Sequence, residues 1–496
     1  MDHVQSFSPF FPAVITCSLF GFQVPKMESN TGFKLLQEAA GKLSLTLFSS
    51  SFALAMDTTD PLRQYRGEFA FPTDTATGKP YVYFCGNSLG LQHKDVEAAV
   101  LAETKKWREQ AVEGHFRQPN PWFEIDDVLT EDMASIVGAL PTEVAVMSSL
   151  TVNLHLLLSA FYQPREGKSK ILCEVNPFPS DTHALVSQIR LHGFDPDTDF
   201  LDVAPDPKDG DVIDTQRFLD VIEEHHASIA LVLIAGVHFL TGQCFDIATI
   251  AKAAHAKGIP IGVDLAHAVG NVPLALHDWG VDFACWCTYK YLNGGPGNIG
   301  GLFVHQAHTE GSTSAVGISP RTLHGWWGHS RSNRFRLGKE FEPSAGASRF
   351  QLSNPCVLSI MSLVPSVRLA AKIGMQNLRD KSLLLTGYLE ILLTERLDHA
   401  LQIVTPRQER SRGAQLSVRI LPEKVKSKWS DSTHYENGTD VDSDAAVVQR
   451  QLCDLGIICD NRPPDFLRLA PVPTYNSFED VYKLVQTLET LFVPKQ

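Results

Sequence analysis

The sequence predicts an α/β protein built on a mainly parallel sheet, followed by a smaller α+β domain. Three observations carry that expectation. Between Lys170 and Val304, apolar runs of strand length alternate with helix-length amphipathic segments. The runs are apolar on both faces, as strands covered by helices on both sides must be. Several of them end in a polar residue and a turn, and open α/β sheets gather their ligands beyond the carboxyl ends of their strands.

Composition narrows the class. The 496 residues are 44% hydrophobic and 20% charged, ordinary for a globular chain. A net charge of −13 argues against nucleic acid as a partner, because phosphate binding needs a basic surface. The nine cysteines show no repeated spacing, and neither C-x-x-C nor H-E-x-x-H occurs, so no metal site is expected and free thiols in a reducing compartment are. At the amino terminus, Phe7–Val24 is fairly apolar but broken by Pro9, Pro12 and Gly21, with no basic lead, which makes it a poor signal peptide and a poor membrane span. Residues 1–59 are therefore read as a poorly ordered extension, with Met27 and Met56 as alternative starts, and the cytoplasm follows by default.

Organised sequence begins near Asp60. Tyr81–Cys85 is strand-like and ends in the turn signal Gly86-Asn87-Ser88-Leu89-Gly90. A helix follows from about Lys94 to Ala111, with an expected apolar stripe at Val96, Val100, Leu101 and Trp107. His115 lies just beyond, after a glycine. Leu150-Thr151 opens another helix, whose free N–H groups and hydroxyl suit a phosphate as well as a simple cap. Lys170–Glu174 is the next strand, and two prolines set Phe178 and Asp181 on a rigid turn at its end. Phe218–His226 and Ile250–Lys257 read as helices, with Ser228–Ala235 as a strand between them. Beyond Val304 come aromatic, glycine-rich stretches around Trp326 and from Gly338 to Ser353, a long helical stretch from Val357 to Leu397, and a polar insertion near 424–444. Val447–Leu455 and Ser477–Phe492 read as helices, and Gly456–Cys459 and Leu467–Leu469 as strands. Arg468 sits inside an apolar strand, where it is either paired or aimed at an anion. This organisation gives a large domain over 60–345 and a small one over 346–496.

The stretch Ile259–His305 is the centre. Its three apolar runs place Asp264 and Lys290 just past two strand ends, so an acid and an amine share one crevice. Spacing alone also allows a plain ion pair. Tyr289 beside the lysine, His267 three residues past the acid, and the glycines that follow favour pyridoxal phosphate, which needs an amine to join and a carboxylate for its ring nitrogen. Gly295-Pro-Gly297-Asn-Ile-Gly300 matches G-x-G-x-x-G, but Leu302–Val304 reads as strand where a dinucleotide site needs a helix. The nicotinamide reading is discarded.

Taken together, YFCGNSLGLQ, LTVNLHLL, NPFPSDTHALVSQIRLHG, GVDLAHAVGN, DWGVDFACWCTYKYLNGGPG, GWWGH and RLAPVPTYNSF resemble the kynureninases, pyridoxal-phosphate enzymes of the aspartate-aminotransferase fold (fold type I). The resemblance runs from about Tyr81 to Phe492. It implies that Lys290 carries the cofactor, that Asp264 partners the ring nitrogen, and that Phe178 stacks on the ring with Pro179, Ser180 and Asp181 beside it. Leu150, Thr151 and Tyr289 would face the phosphate, and His267 would complete the pocket. Trp326 and Asn354 match positions supplied by a second subunit, which implies a homodimer with a composite site. His115, Ser88 and Asn354 would face the aromatic end of a kynurenine, and Arg468 its carboxylate. The implied activity is hydrolysis of the Cβ–Cγ bond, with Lys290, Tyr289 and Asp264 as catalytic groups. Ala235 and Ser148 depart from the family pattern, where serine and asparagine are common. The rivals are another reaction of the same fold, such as a cysteine desulfurase or an aminotransferase, and an inactive binding homologue. No cysteine sits on an evidently flexible loop by the site, and the retained lysine speaks against inactivity.

Overall fold

The computed structural model describes residues 31–309, 320–421 and 443–492, together with Gly317. Of the sequence expectations, those on residues 1–30 and on the insertion up to residue 442 lie outside the described residues.

The central sheet has seven strands: β1 Val144–Val146, β2 Lys170–Glu174, β3 Phe200–Val203, β4 Ile229–Ala235, β5 Ile261–Asp264, β6 Phe283–Trp286 and β7 Gly301–Val304. Their order is β1-β7-β6-β5-β4-β2-β3, parallel except that β7 runs against both of its neighbours. Every residue of β5, β6 and β7 is buried, as the two-sided apolar runs require. The glycine-rich loop before β7 leads into a strand, in keeping with the rejection of a dinucleotide site.

A second sheet of β8 Leu401–Ile403, β9 Leu416–Ile420, β10 Asp460–Arg462 and β11 Phe466–Leu469 is antiparallel, in the order β8-β9-β11-β10. It packs with its own hydrophobic core, separate from that of the large sheet. That small core departs from the expected boundaries in two ways.

First, residues 31–59 are not a loose extension. Helices α1 (Thr31–Leu43) and α2 (Ser50–Thr59) pack onto the small core, where Leu36 and Phe52 are wholly buried and Phe52 meets Tyr388 at 5.7 Å. Burial on this scale stabilises by roughly 2–3 kcal/mol for each side chain. The Ser49 hydroxyl accepts the Phe52 N–H to cap α2, and the Asp57 carboxylate accepts the N–H groups of Phe478 and Glu479 at the start of the last helix. These partners lie far along the chain, so a local reading of the apolar patch at 43–55 misses them.

Second, the helical stretch after residue 356 is two helices. One, Val357–Ile373, buries Ile360, Leu363 and Val367 in the large core, and the other, Met375–Leu397, buries Leu385 and Leu389 in the small one. They meet at 84° at Gly374, whose φ of +83° suits glycine. Met375 and Leu378 of the second helix still pack with the large core, so the change of core falls between Leu378 and Leu385 and not at residue 345. Among the described residues no single helix is long and apolar enough to cross a membrane.

The helix α3 (Val96–Gln110) also corrects its expectation. Leu101 and Trp107 of the predicted stripe are 58% and 64% exposed, while Glu103 and Lys106 are buried. The helix packs along Val357–Ile373, and Glu103 and Lys106 turn to a loop whose carbonyls and indole need polar partners.

Candidate functional site

A cleft opens at the carboxyl ends of β2, β4, β5 and β6. Leu150, Thr151, Phe178, Ser180, Asp181, Asp264, His267, Tyr289 and Lys290 line it, all of them singled out from the sequence. Pro179 is the first residue of the helix that carries Ser180 and Asp181.

Two helix starts converge here. The helix Leu150–Phe161 begins after Ser149, whose side chain makes no cap, and the helix Pro179–Leu191 begins after Phe178, likewise without one. Uncapped first-turn N–H groups are ready anion donors. The hydroxyls of Thr151 and Ser180 meet at 2.8 Å between them.

The charged groups are compressed. Burial lowers the Lys290 ammonium from its usual range, and pushes His267 well below it, helped by Lys290 and Arg468. Asp181 is pushed well up by burial, then by the nearby Asp264. Asp264 Oδ1 accepts the Ala266 N–H at 2.7 Å, which fixes the carboxylate at the end of β5. The Lys290 Nζ lies 5.8 Å from the Phe178 ring centre and 5.9 Å from that of Tyr289. Tyr289 is held up by burial and keeps its proton.

Two buried polar atoms in this cleft have no partner, Asp181 Oδ1 and His267 Nδ1. Orphans of this kind cost free energy unless something else satisfies them. With an anion cradle at one end, a carboxylate at the other, an amine between them and an aromatic face alongside, the residues fit pyridoxal phosphate.

Other predicted residues are placed differently. The turn carrying Ser88 lies against the lysine segment, because the Gly90 N–H donates to the Tyr289 carbonyl at 2.7 Å. Arg468 is fully buried at the rim. Its Nη1 donates to the carbonyl of Phe239, a cleft residue, at 2.8 Å; Nη2 pairs with Asp460; and Nε has no partner. Burial pulls its guanidinium down to about 10. His115, Trp326 and Asn354 do not line the cleft of this chain. Trp326 is 45% exposed and Asn354 is exposed. Ala235 lines the cleft but offers no hydroxyl, and Ser148 stands at φ +48° before the uncapped helix.

Sequence reasoning missed three groups. Glu174, at the end of β2, lines the cleft and accepts the Ala235 N–H at 3.2 Å; burial pushes its carboxyl up to about 7. Its place at a strand end is the signal that picked out Asp264. Cys287 is buried beside Tyr289 and Lys290, and burial pushes its thiol up. Phe239 meets Phe178 edge-on at 5.3 Å; nothing local distinguishes it.

Comparison with known proteins agrees with this geometry. Residues 131–427 match the model of the aminotransferase class-V family, and residues 439–488 that of the kynureninase C-terminal domain. The chain is 44% identical over 442 residues to a kynureninase of Koribacter versatilis, covering 88% of this chain and 96% of that one. A kynureninase of Myxococcus xanthus is 45% identical, with 89% and 97% covered, and one of Nematostella vectensis is 42% identical over 479 residues, with 92% and 97% covered. Among solved structures, a cysteine desulfurase of Thermococcus onnurineus superposes with a TM-score of 0.63 at 16% identity, over 83% of this chain and 94% of that one. That likeness speaks to the fold alone.

Proposed function

The chain belongs to the kynureninase family, and from that premise we propose how its own residues divide the work. The reaction is hydrolytic cleavage of the Cβ–Cγ bond of L-kynurenine or its 3-hydroxy derivative, giving L-alanine and anthranilate or 3-hydroxyanthranilate. Bound pyridoxal phosphate supplies an electron sink that makes the substrate Cα–H acidic and the Cβ–Cγ bond labile.

The observation that carries the assignment is that Lys290 and Asp264 stand past neighbouring strand ends in one cleft, where two buried polar atoms lack partners. The lowered Lys290 amine holds the cofactor and then takes the α-proton at Nζ. Asp264 keeps a proton on the ring nitrogen, and Asp181 stands against the ring hydroxyl. His267, kept neutral by burial, lines the pocket without adding charge. Phe178 supports the ring. The first N–H groups of the helix at Leu150 and the hydroxyls of Thr151 and Ser180 would hold the phosphate. Tyr289, which retains its proton, delivers one toward the carbon that becomes alanine. Arg468 holds the substrate carboxylate, and Ser88, His115 and Asn354 face its aromatic end.

The site is completed by a second copy of the chain. Trp326 belongs to an exposed aromatic patch with Phe116 and Phe335, 64% and 67% exposed, and His115 adjoins it. A patch of this kind on a soluble chain calls for a partner surface, and mass measurement in solution reads it directly. All eight cysteines of the described residues are free thiols, which supports a reducing compartment, the cytoplasm; cell fractionation checks it.

The deciding experiment incubates the purified protein and pyridoxal phosphate with each kynurenine and follows release of the anthranilate. Turnover is expected with at least one of them. Absence of turnover with the cofactor attached at Lys290 overturns the reaction and leaves the fold.

A further inference from the structure

The buried face of α3 carries two charged residues that none of the roles above uses. Lys106 is 7% exposed, and its ammonium donates to three backbone carbonyls in one loop: Arg117 at 2.9 Å, Pro119 at 2.7 Å and Asn120 at 2.8 Å. Glu103, one helical turn away and 3% exposed, accepts the Trp122 indole N–H at 2.7 Å. The ammonium also lies 5.3 Å from the Trp122 ring, within cation–π range. Burying an ammonium and a carboxylate is costly unless their hydrogen bonds are satisfied, so the loop from 117 to 122 holds this pair and is held by it.

What the loop holds in turn is His115. The Trp122 ring is pressed against Gly114, where a Cβ would sit only 2.6 Å from a ring carbon, so the indole lies directly on the backbone before the histidine. The same ring meets His115 edge-on at 5.4 Å. The imidazole has two further neighbours, the Val112 carbonyl, 3.1 Å from Nδ1, and the Phe116 ring at 6.2 Å. The orientation of His115 is thus set by an indole whose own position is set by Glu103 and Lys106.

We propose that Glu103 and Lys106 are positioning residues that aim His115 at the aromatic end of the substrate. The inference rests on the reading of His115 as a substrate contact. It assigns a role in recognition to a helix that touches neither cofactor nor substrate, and it accounts for charges occupying the face where an apolar stripe was expected.

The test measures kcat and KM for L-kynurenine and its 3-hydroxy derivative in the cofactor-loaded enzyme. The variants are Lys106→Met, Lys106→Arg, Glu103→Gln, His115→Ala and the double variant Lys106→Met/His115→Ala. Loss of positioning raises KM by about ten-fold while kcat stays within about three-fold. Lys106→Arg, which keeps a cation and its donors, recovers most of the loss. The double variant is no worse than His115→Ala, because both act through one group. Glu103→Gln keeps the shape of the side chain and gives a milder shift in the same direction, which keeps the test decisive if Lys106→Met does not fold. A strong His115→Ala effect beside a silent Lys106→Met and Glu103→Gln overturns the proposal alone, as does full additivity in the double variant. A silent His115→Ala overturns the substrate role of His115 and the proposal with it.

Discussion

The two ends of one sheet use the same residue types in opposite ways. At the amino end of β5, Asp282 accepts the Ile261 N–H at 2.7 Å, His255 at 2.8 Å and His308 at 2.7 Å. Burial pushes its carboxyl up, but the two histidine bonds outweigh burial and hold it below the usual range. Nearby, Glu143 accepts Leu140 N–H, Gln306 N–H and His277 Nδ1, each at 2.9 Å. Glu143, His277 and His305 bring ligand atoms within 4.8 Å of one another, but the carboxylate is already filled by N–H donors. At the carboxyl end of the same strand, Asp264 and its neighbours leave Asp181 Oδ1 and His267 Nδ1 without partners, with Asp181 pushed up and Lys290 pulled down. Burial is similar at both ends. What separates architecture from chemistry is whether the buried carboxylates are satisfied by the chain itself: both oxygens of Asp282 and of Glu143 have donors, and Asp181 Oδ1 has none.

The largest test of that contrast removes the amine. Lys290→Ala should cost at least about 10³-fold in kcat, since the group acts in attachment and in proton transfer. Its thermal stability without cofactor should stay the same or rise, because a buried ammonium is lost. Steady-state kinetics and a melting curve read the two parts, and an active variant would remove the catalytic assignment.

Next come paired substitutions at the two ends of β5. Asp264→Asn should lower kcat by about 10²-fold with little change in unfolding free energy. Asp282→Asn should do the reverse, costing about 3 kcal/mol or more by uncoupling a buried carboxylate from two histidines, with kcat per folded molecule unchanged. Equal kinetic losses in both would break the comparison.

The smallest effect concerns Glu174. Its folded-state pKa, about 7, lies above the ordinary carboxylate value, so the native protein binds the extra proton. Stability from this group is full below the unfolded pKa and is lost as pH rises through the folded one. Between about pH 4.5 and 7 the cofactor-free protein should therefore lose about 1–3 kcal/mol that Glu174→Gln does not lose. Urea unfolding at pH 5 and pH 8 gives the difference between the two proteins; parallel curves would count against Glu174 taking up the proton.

The parts that were legible in the sequence are local ones. Runs such as Phe283–Trp286 announce a doubly covered strand, and an acid or amine just past such a run announces the crevice. What escaped depends on distant partners. Leu36 and Phe52 are apolar residues without an evident surface to cover until Leu385 and Tyr388 arrive. Glu103 and Lys106 look like the solvated side of a helix until a loop of bare carbonyls packs against them. The break at Gly374 is hidden because both flanking helices are apolar enough to read as one. His115, Trp326 and Asn354 were recognisable only by family likeness, since a single chain gives them no cleft to line.

Arg468 holds a thermodynamic consequence for substrate capture. Its fork is engaged before any ligand arrives, by Asp460 and by the Phe239 carbonyl, while Nε has no partner. In the proposed role, binding a carboxylate there is an exchange of partners, so the affinity is a difference between two sets of bonds and not the sum of the new ones. Such a site discriminates by rank: a ligand must out-compete a neighbouring carboxylate and a carbonyl, and a weaker acceptor of the same shape leaves the arginine where it was.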